Sequence, residues 1–268
     1  MSTDLFSIAD YVTDREDKGF AADIECMRNA SFDTKFFGKN KKVTMQPGLY
    51  VLRGAPAAGK TAFMLQMCSD FAKNAEKHIT YYTFKESMRE LVTRSLACAP
   101  AVNKSSEQDC MKISGYENCV ENSVQSMDKV QSVFCEYSYR IHFAECGANV
   151  TVKCIETSIN NNAIGNVIFI DGLHDLTLTG SFADALRELK IFQKEHNLIV
   201  IASFSPAYAD DADKGAVMNY ADVVWDLEPD WADSDSDKTN IRLIWAKNRF
   251  GFVSDAVYSY YLEYNIFL

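Results

Sequence analysis

The stretch Gly54-Ala-Pro-Ala-Ala-Gly-Lys-Thr61 limits what this chain can fold into more sharply than any other. It follows an apolar run, Leu49-Tyr-Val-Leu52, and leads into Ala62-Phe-Met-Leu-Gln-Met-Cys68, which reads as a helix. Glycine, four residues, then Gly-Lys-Thr, set between a strand and a helix, is the pattern of a phosphate-binding loop. Gly54 and Gly59 allow backbone angles that turn successive N–H groups toward one anion. A helix starting near Lys60 aims its positive end at the same anion. The run Gly54, Ala55, Pro56, Ala57, Ala58, Gly59, Lys60 and Thr61 is therefore the expected cradle for a nucleoside triphosphate. Lys60 is expected to reach the β and γ phosphates, and the Thr61 hydroxyl to hold Mg²⁺.

The rest of the chain alternates around that loop. Strands are predicted at Leu49–Arg53, His78–Phe84, Arg140–Glu145, Val167–Asp171, Leu198–Ala202 and Val223–Leu227. Helices are predicted at Lys60–Asn74, Met88–Ala99, Val150–Asn161 and Phe182–His196. Ile241–Ala246 and Ala256–Leu268 read as closing, antiparallel strands, and Asp230–Lys238 between them and the core is acidic and turn-rich. The fold class expected is α/β: a mainly parallel twisted sheet flanked by helices, with antiparallel closing strands. Before the core, Leu5, Ile8, Ala9 and Val12 repeat at helical spacing, Asp14–Lys18 is a charged face or linker, and Lys39-Asn-Lys-Lys42 reads as a surface loop. Val120, Val124, Met127, Val130 and Val133 suggest a helix inside the polar segment 100–137, to which no chemistry is assigned.

Composition excludes several alternatives. At 268 residues there is room for one large α/β domain or a domain with a small appendage. A net charge of −10 argues against a wholly basic nucleic-acid coat, although one groove can still bind phosphates. The eight cysteines form no C-x-x-C pair, so neither a zinc site nor a dithiol redox motif is expected, and a reduced, cytoplasmic setting is. The four histidines have no ligand spacing. No signal peptide is read at the N-terminus, no run approaches the ~18 apolar residues that cross a bilayer, and no membrane partner is expected.

Three further groups bear on the phosphate loop. Asp171 ends an apolar strand, where a carboxylate either caps the strand or holds Mg²⁺ beside the loop. Glu86 follows the second strand; it either favours a helix start or orients and deprotonates an attacking water. Lys247 and Arg249 end a late strand, as solvated hairpin residues or as a finger for developing negative charge, on the chain's own nucleotide or on a neighbour's.

Taken together the pieces resemble a known family. They are Pro47 through Thr61, Tyr82-Thr-Phe-Lys-Glu-Ser-Met88 with Leu91 and Arg94, Val167-Ile-Phe-Ile-Asp-Gly-Leu173, Ile199-Val-Ile-Ala-Ser203, Ala221-Asp-Val-Val224 and Ala246-Lys-Asn-Arg-Phe-Gly251. Their order is similar to the RecA-like ATPase domain of replicative DNA helicases of the DnaB type. The resemblance spans residues 28–268 and leaves 1–27 as an N-terminal extension, at most a linker helix that docks on a neighbour. It implies an ATP-hydrolysing motor acting on single-stranded DNA, in a homo-oligomer such as a hexameric ring. By the resemblance Glu86 is the catalytic carboxylate, Asp171 the second magnesium residue, and Lys247 and Arg249 reach the γ-phosphate held by the adjacent subunit. Two departures stand out. The family's Ser-Gln is Ser203-Phe204 here, and residues 205–222 carry four Asp against one Lys. Both suit a second reading, a RecA-fold regulatory ATPase that binds protein partners without translocating on DNA.

Overall fold

A computed structural model describes residues 20–38, 42–102, 131–162, 165–234, 238–251 and 253–268. Helix α1 (Phe20–Ala30) leads into two short strands, β1 (Phe32–Thr34) and β2 (Val43–Met45), which pair antiparallel. Then follow β3 (Gly48–Arg53), α2 (Lys60–Asn74), β4 (Ile79–Thr83), α3 (Met88–Val102) and β5 (Ile141–Glu145). The chain continues through α4 (Val152–Asn162), β6 (Val167–Asp171), α5 (Phe182–Glu195), β7 (Ile199–Phe204), α6 (Asp211–Tyr220) and β8 (Val223–Ser234). It closes with β9 (Lys238–Asn248), β10 (Ala256–Tyr261) and β11 (Ile266–Phe267).

The large sheet has the order β11-β10-β9-β8-β3-β7-β6-β4-β5. From β8 to β5 all pairings are parallel, and β9, β10 and β11 join antiparallel at the other edge. This is the α/β class expected. The central strands are buried on both faces, so they read as continuous apolar runs. Alternate residues still divide between two cores. Tyr50, Leu52, Tyr81, Phe169, Ile201 and Trp225 face α2 and α3. Leu49, Val51, Ile168, Ile170, Val200 and Val224 face α4, α5 and α6. Helix α5 starts in a reciprocal capping box: Ser181 accepts from the Asp184 amide, and the Asp184 carboxylate accepts from the Ser181 amide.

The ends of the chain differ from the sequence reading. Ala256–Leu268 is two strands, because Asn265 takes a left-handed conformation (φ 54°) and folds β11 back onto β10. The acidic stretch from Asp230 belongs in part to β8, which stays extended to Ser234 across a register shift. The helix expected from Phe6 to Val12 lies outside the described residues, as does the 100–137 helix apart from the helical residues 131–135. Helix α1 runs across position 27, where the N-terminal extension was expected to end. Of the Lys39–Lys42 patch only Lys42 is described; it pairs with Asp33 at 2.6 Å, largely exposed. Among the described residues no helix is long and apolar enough to cross a membrane.

Candidate active site

The phosphate loop joins β3 to α2 at the carboxyl edge of the sheet. Its base is braced from both flanking strands. Arg53 grips Asp226 of β8 through a two-pronged pair at 2.6 and 2.7 Å, and the Gly54 amide donates to the Phe204 carbonyl of β7 at 3.3 Å. Within the loop Ala57 (φ 64°) and Gly59 (φ 85°) both adopt left-handed angles. Such reversals turn neighbouring N–H groups into one concavity, the geometry that binds an anion. Gly59 is also closely covered: a Cβ there would lie 3.0 Å from the Phe267 ring and 3.3 Å from Tyr260. The floor of the loop is thus made by β10 and β11, whose Tyr260 and Phe267 rings stack at 4.3 Å. Gln66 of α2 fixes that floor, its amide donating to the Phe267 carbonyl and accepting from the Phe267 amide, both at 2.8 Å.

The Lys60 ammonium donates to the carbonyls of Gly54 and Ala55 at 2.9 and 2.8 Å, so it lies over the loop. Burial lowers its pKa, with a further push from Lys85, while Asp171 opposes both. Thr61 donates to Asp171 Oδ2 at 2.7 Å across 110 residues of sequence. Asp171 receives two more hydroxyls, Ser203 on Oδ1 at 2.7 Å and Tyr81 on Oδ2 at 2.9 Å. Tyr81 is fully buried, and burial followed by the Asp171 charge holds its phenol well above the ordinary range. Three hydroxyls therefore fix this carboxylate beside Thr61. A hydroxyl and an oriented carboxylate at a phosphate cradle are the hard oxygen donors that suit Mg²⁺, which completes its shell with water and substrate phosphates. Among the described residues no cluster of three or more His, Cys, Asp or Glu offers a self-sufficient metal cage.

Glu86 follows β4, the neighbour of β6, in a register that sets Thr83 beside Asp171. Its carboxylate accepts from Thr83 Oγ1 at 3.2 Å. Burial raises its pKa, the Asp171 charge adds to the rise, and Arg94 opposes it. The helix-start role falls to another carboxylate: Glu90 accepts from the amide and hydroxyl of Ser87 at 2.7 and 2.8 Å, and the Met88 amide donates to Glu145. Glu86 is left out of that cap, half-buried beside the loop.

The structure does not bring Lys247 and Arg249 to this edge. Lys247 pairs in register with Val224 and donates to the Met218 and Ala221 carbonyls at the end of α6, both at 2.6 Å. Burial lowers the Lys247 pKa, with Asp222 opposing. Arg249 holds Asp222 at 3.0 Å while 65% of its side chain stays exposed. Asp222 is buried and also accepts from Lys190 and the Leu49 amide. Leu49 lies five residues before Gly54 on a strand rising ~3.3 Å per residue, so Arg249 stands roughly 16 Å along the sheet from the loop. Arg249 is thus held toward Asp222, and Lys247 toward the end of α6, away from the chain's own loop.

Several contributors escaped the sequence reading. Tyr81, Gln66, Phe267 and Asp222 act through contacts 90 to 201 residues distant or as bases for other side chains. Ser203 and Asp222 stood in quoted motifs, but without a role. Phe204, at the family's Gln position, is buried with its ring 4.4 Å from His174 and 5.6 Å from Phe182.

Comparison with known proteins agrees with this geometry. The family model for the DnaB-like helicase C terminal domain matches residues 33–268. The replicative DNA helicase DnaB of Geobacillus stearothermophilus is 23% identical over 249 residues, covering 82% of this chain and 52% of the relative. The replicative DNA helicase DnaC of Bacillus subtilis (strain 168) is 24% identical over the same shares. The chain thus spans about half the length of these curated relatives. Among solved structures, one of an ATPase domain superposes with a TM-score of 0.68 at 18% identity, covering 83% of this chain and 84% of that one. A DnaB-like replicative helicase, solved with its interactions with primase, gives 0.67 at 17% identity over 83% of this chain and 57% of its own.

Proposed function

The chain belongs to the DnaB-like helicase C terminal domain family, and from that premise we propose that it is an ATP-hydrolysing motor acting on single-stranded DNA in replication. The observation that supports hydrolysis is the meeting of Thr61, Asp171 and Glu86 at the carboxyl edge of β3, β6 and β4, beside the loop. The amides of residues 54–61 and the Lys60 charge bind the triphosphate. Thr61 and Asp171 would hold Mg²⁺, which when bound neutralises charge on the β and γ oxygens. Glu86 orients the attacking water and accepts its proton. Its raised pKa, caused by burial and the Asp171 charge, makes it a stronger base than an ordinary glutamate.

Arg249 and Lys247 serve a neighbour's site, since they are held away from their own loop. This makes the working form a homo-oligomer, read as a hexameric ring. We take residues 28–268 as the RecA-like ATPase domain and 1–27 as an extension. Helix α1 spans that junction with Ile24 and Met27 exposed, as a helix docking on a neighbour would be. The setting is cytoplasmic.

The test is an ATPase assay with and without single-stranded DNA at rising salt. The expected result is stimulation that fades with salt, as phosphate contacts are screened, and loss of turnover in Lys60→Ala. Turnover with a flat response to DNA at low salt would instead support the protein-binding regulator.

A further inference from the structure

Lys85 plays no part in the mechanism above, yet its surroundings are those of a phosphate contact. It immediately precedes Glu86, two residues past the end of β4. Its ammonium pairs with Asp175 Oδ2 at 3.0 Å, and 63% of its side chain is exposed. Asp175 comes four residues after Asp171, in the tight turn Leu173–Asp175. That turn is folded for the contact. The Asp175 amide donates to the Gly172 carbonyl at 3.0 Å, and Gly172 is left-handed (φ 114°). A Cβ on Gly172 would lie 2.3 Å from Asp175 Oδ2, so the carboxylate lies directly over a residue that must be glycine. A cation beside the candidate base is thereby held against a carboxylate next to the candidate magnesium residue.

We propose that Lys85 is a catalytic residue of the ATPase site: it leaves Asp175 to contact the γ-phosphate of the bound triphosphate, within the same subunit. The inference rests on the ATPase reading. The charges around Lys85 agree with it. Asp175 acts on it most strongly, then Asp171 and Glu86, and Lys85 in turn lowers the Lys60 pKa. Both lysines, with burial first, lower the pKa of His174, so the two cations converge on one region. A half-exposed ion pair contributes little stability and exchanges readily. A γ-phosphate carries more charge than a carboxylate and has three acceptor oxygens, so it competes well for the same ammonium. Exchange would release the turn Leu173–Asp175, whose His174 is stacked on Phe204. Residues 205–210, which include exposed Tyr208, follow Phe204 directly and lead into α6.

The test uses the full chain and measures affinity for ADP and for a non-hydrolysable β,γ-imido triphosphate, together with turnover. Lys85→Gln should weaken the triphosphate relative to ADP by about tenfold, the effect of one charged hydrogen bond, and lower kcat. Asp175→Asn frees the ammonium and should shift the triphosphate-to-ADP preference the opposite way. If Lys85 only braces the turn, the two variants change affinities in the same direction, and the proposal is overturned. Equal loss of both nucleotides in Lys85→Gln overturns it as well. In the wild type the triphosphate should speed amide exchange at residues 172–175, and Lys85→Gln should abolish that response. If wild-type chain hydrolyses no ATP and Lys60→Ala changes nothing, the ATPase reading itself fails and this inference falls with it, a result distinguishable from the others.

Discussion

At the scale of single residues, the candidate site is an arrangement of charges that shift one another. Glu86 is the clearest case. Burial and the nearby Asp171 raise its pKa, and Arg94 holds it down. A base must be unprotonated, so turnover should fall as pH drops through the Glu86 pKa, above the ~4.3 of an unperturbed glutamate. Arg94→Gln removes the opposing cation and should move that acid limb to higher pH; a pH profile of kcat/KM checks the direction. An unmoved limb would mean that Glu86 is not the titrating base. The residues proposed to carry this chemistry were legible in the sequence where a motif or a strand end exposed them: Lys60, Thr61, Glu86 and Asp171. Those that hold them in place were not. Tyr81 reads as one aromatic among several in a buried strand, and its partner Asp171 is 90 residues away. No periodicity encodes such a pairing. Lys247 and Arg249 were found by motif, but their distance from the loop depends on the pairing of β9 with β8, which only the fold supplies.

At the scale of elements, the strongest signals gave the best boundaries. Helix α2 and strand β6 begin and end where the sequence placed them, because a glycine turn opens the one and a continuous apolar run makes the other. Helix α1 was missed although Phe20, Ile24 and Met27 stand at helical spacing, and Ile24 and Met27 are exposed. Strands β1 and β2 are three residues each, too short for alternation to register. The split between β10 and β11 is made by a tight turn, Leu262–Tyr264, closed by the left-handed backbone of Asn265. The joint between β11 and α2 leads to a stability prediction. Gln66→Leu keeps the volume but leaves the buried Phe267 amide and carbonyl without partners. The expected cost is about 3 kcal/mol, or a fall in Tm on the order of 6–12 °C for a domain of this size, read by thermal denaturation. A change below about 1 °C, far short of that scale, would mean that water replaces the clamp.

At the scale of the whole molecule, the two halves of the proposed catalytic set stand at opposite edges of one sheet. The loop, Glu86 and Asp171 occupy the carboxyl edge; Lys247 and Arg249 are tied to Asp222 and the end of α6 at the other. Arg249→Ala should therefore remove hydrolysis while keeping nucleotide binding, and Glu86→Gln should do the same from the opposite side. Mixing the two inactive variants should recover part of the turnover, because some interfaces then combine an intact Glu86 with an intact Arg249. Absence of any recovery across mixing ratios would argue against a shared site. The parallel core also explains why the fold class was legible: alternating strands and helices admit few other solutions. The aromatic floor under Gly59 has a consequence in time. Gln66 must wait for Phe267, 201 residues later, before the floor can close. At roughly 5–20 residues per second of synthesis, the nascent phosphate loop remains unfinished for about 10–40 s after its own residues are made. Throughout that interval the chain on the ribosome has its nucleotide motif but lacks the surface that shapes it, so nucleotide capture by a finished loop awaits the arrival of Phe267.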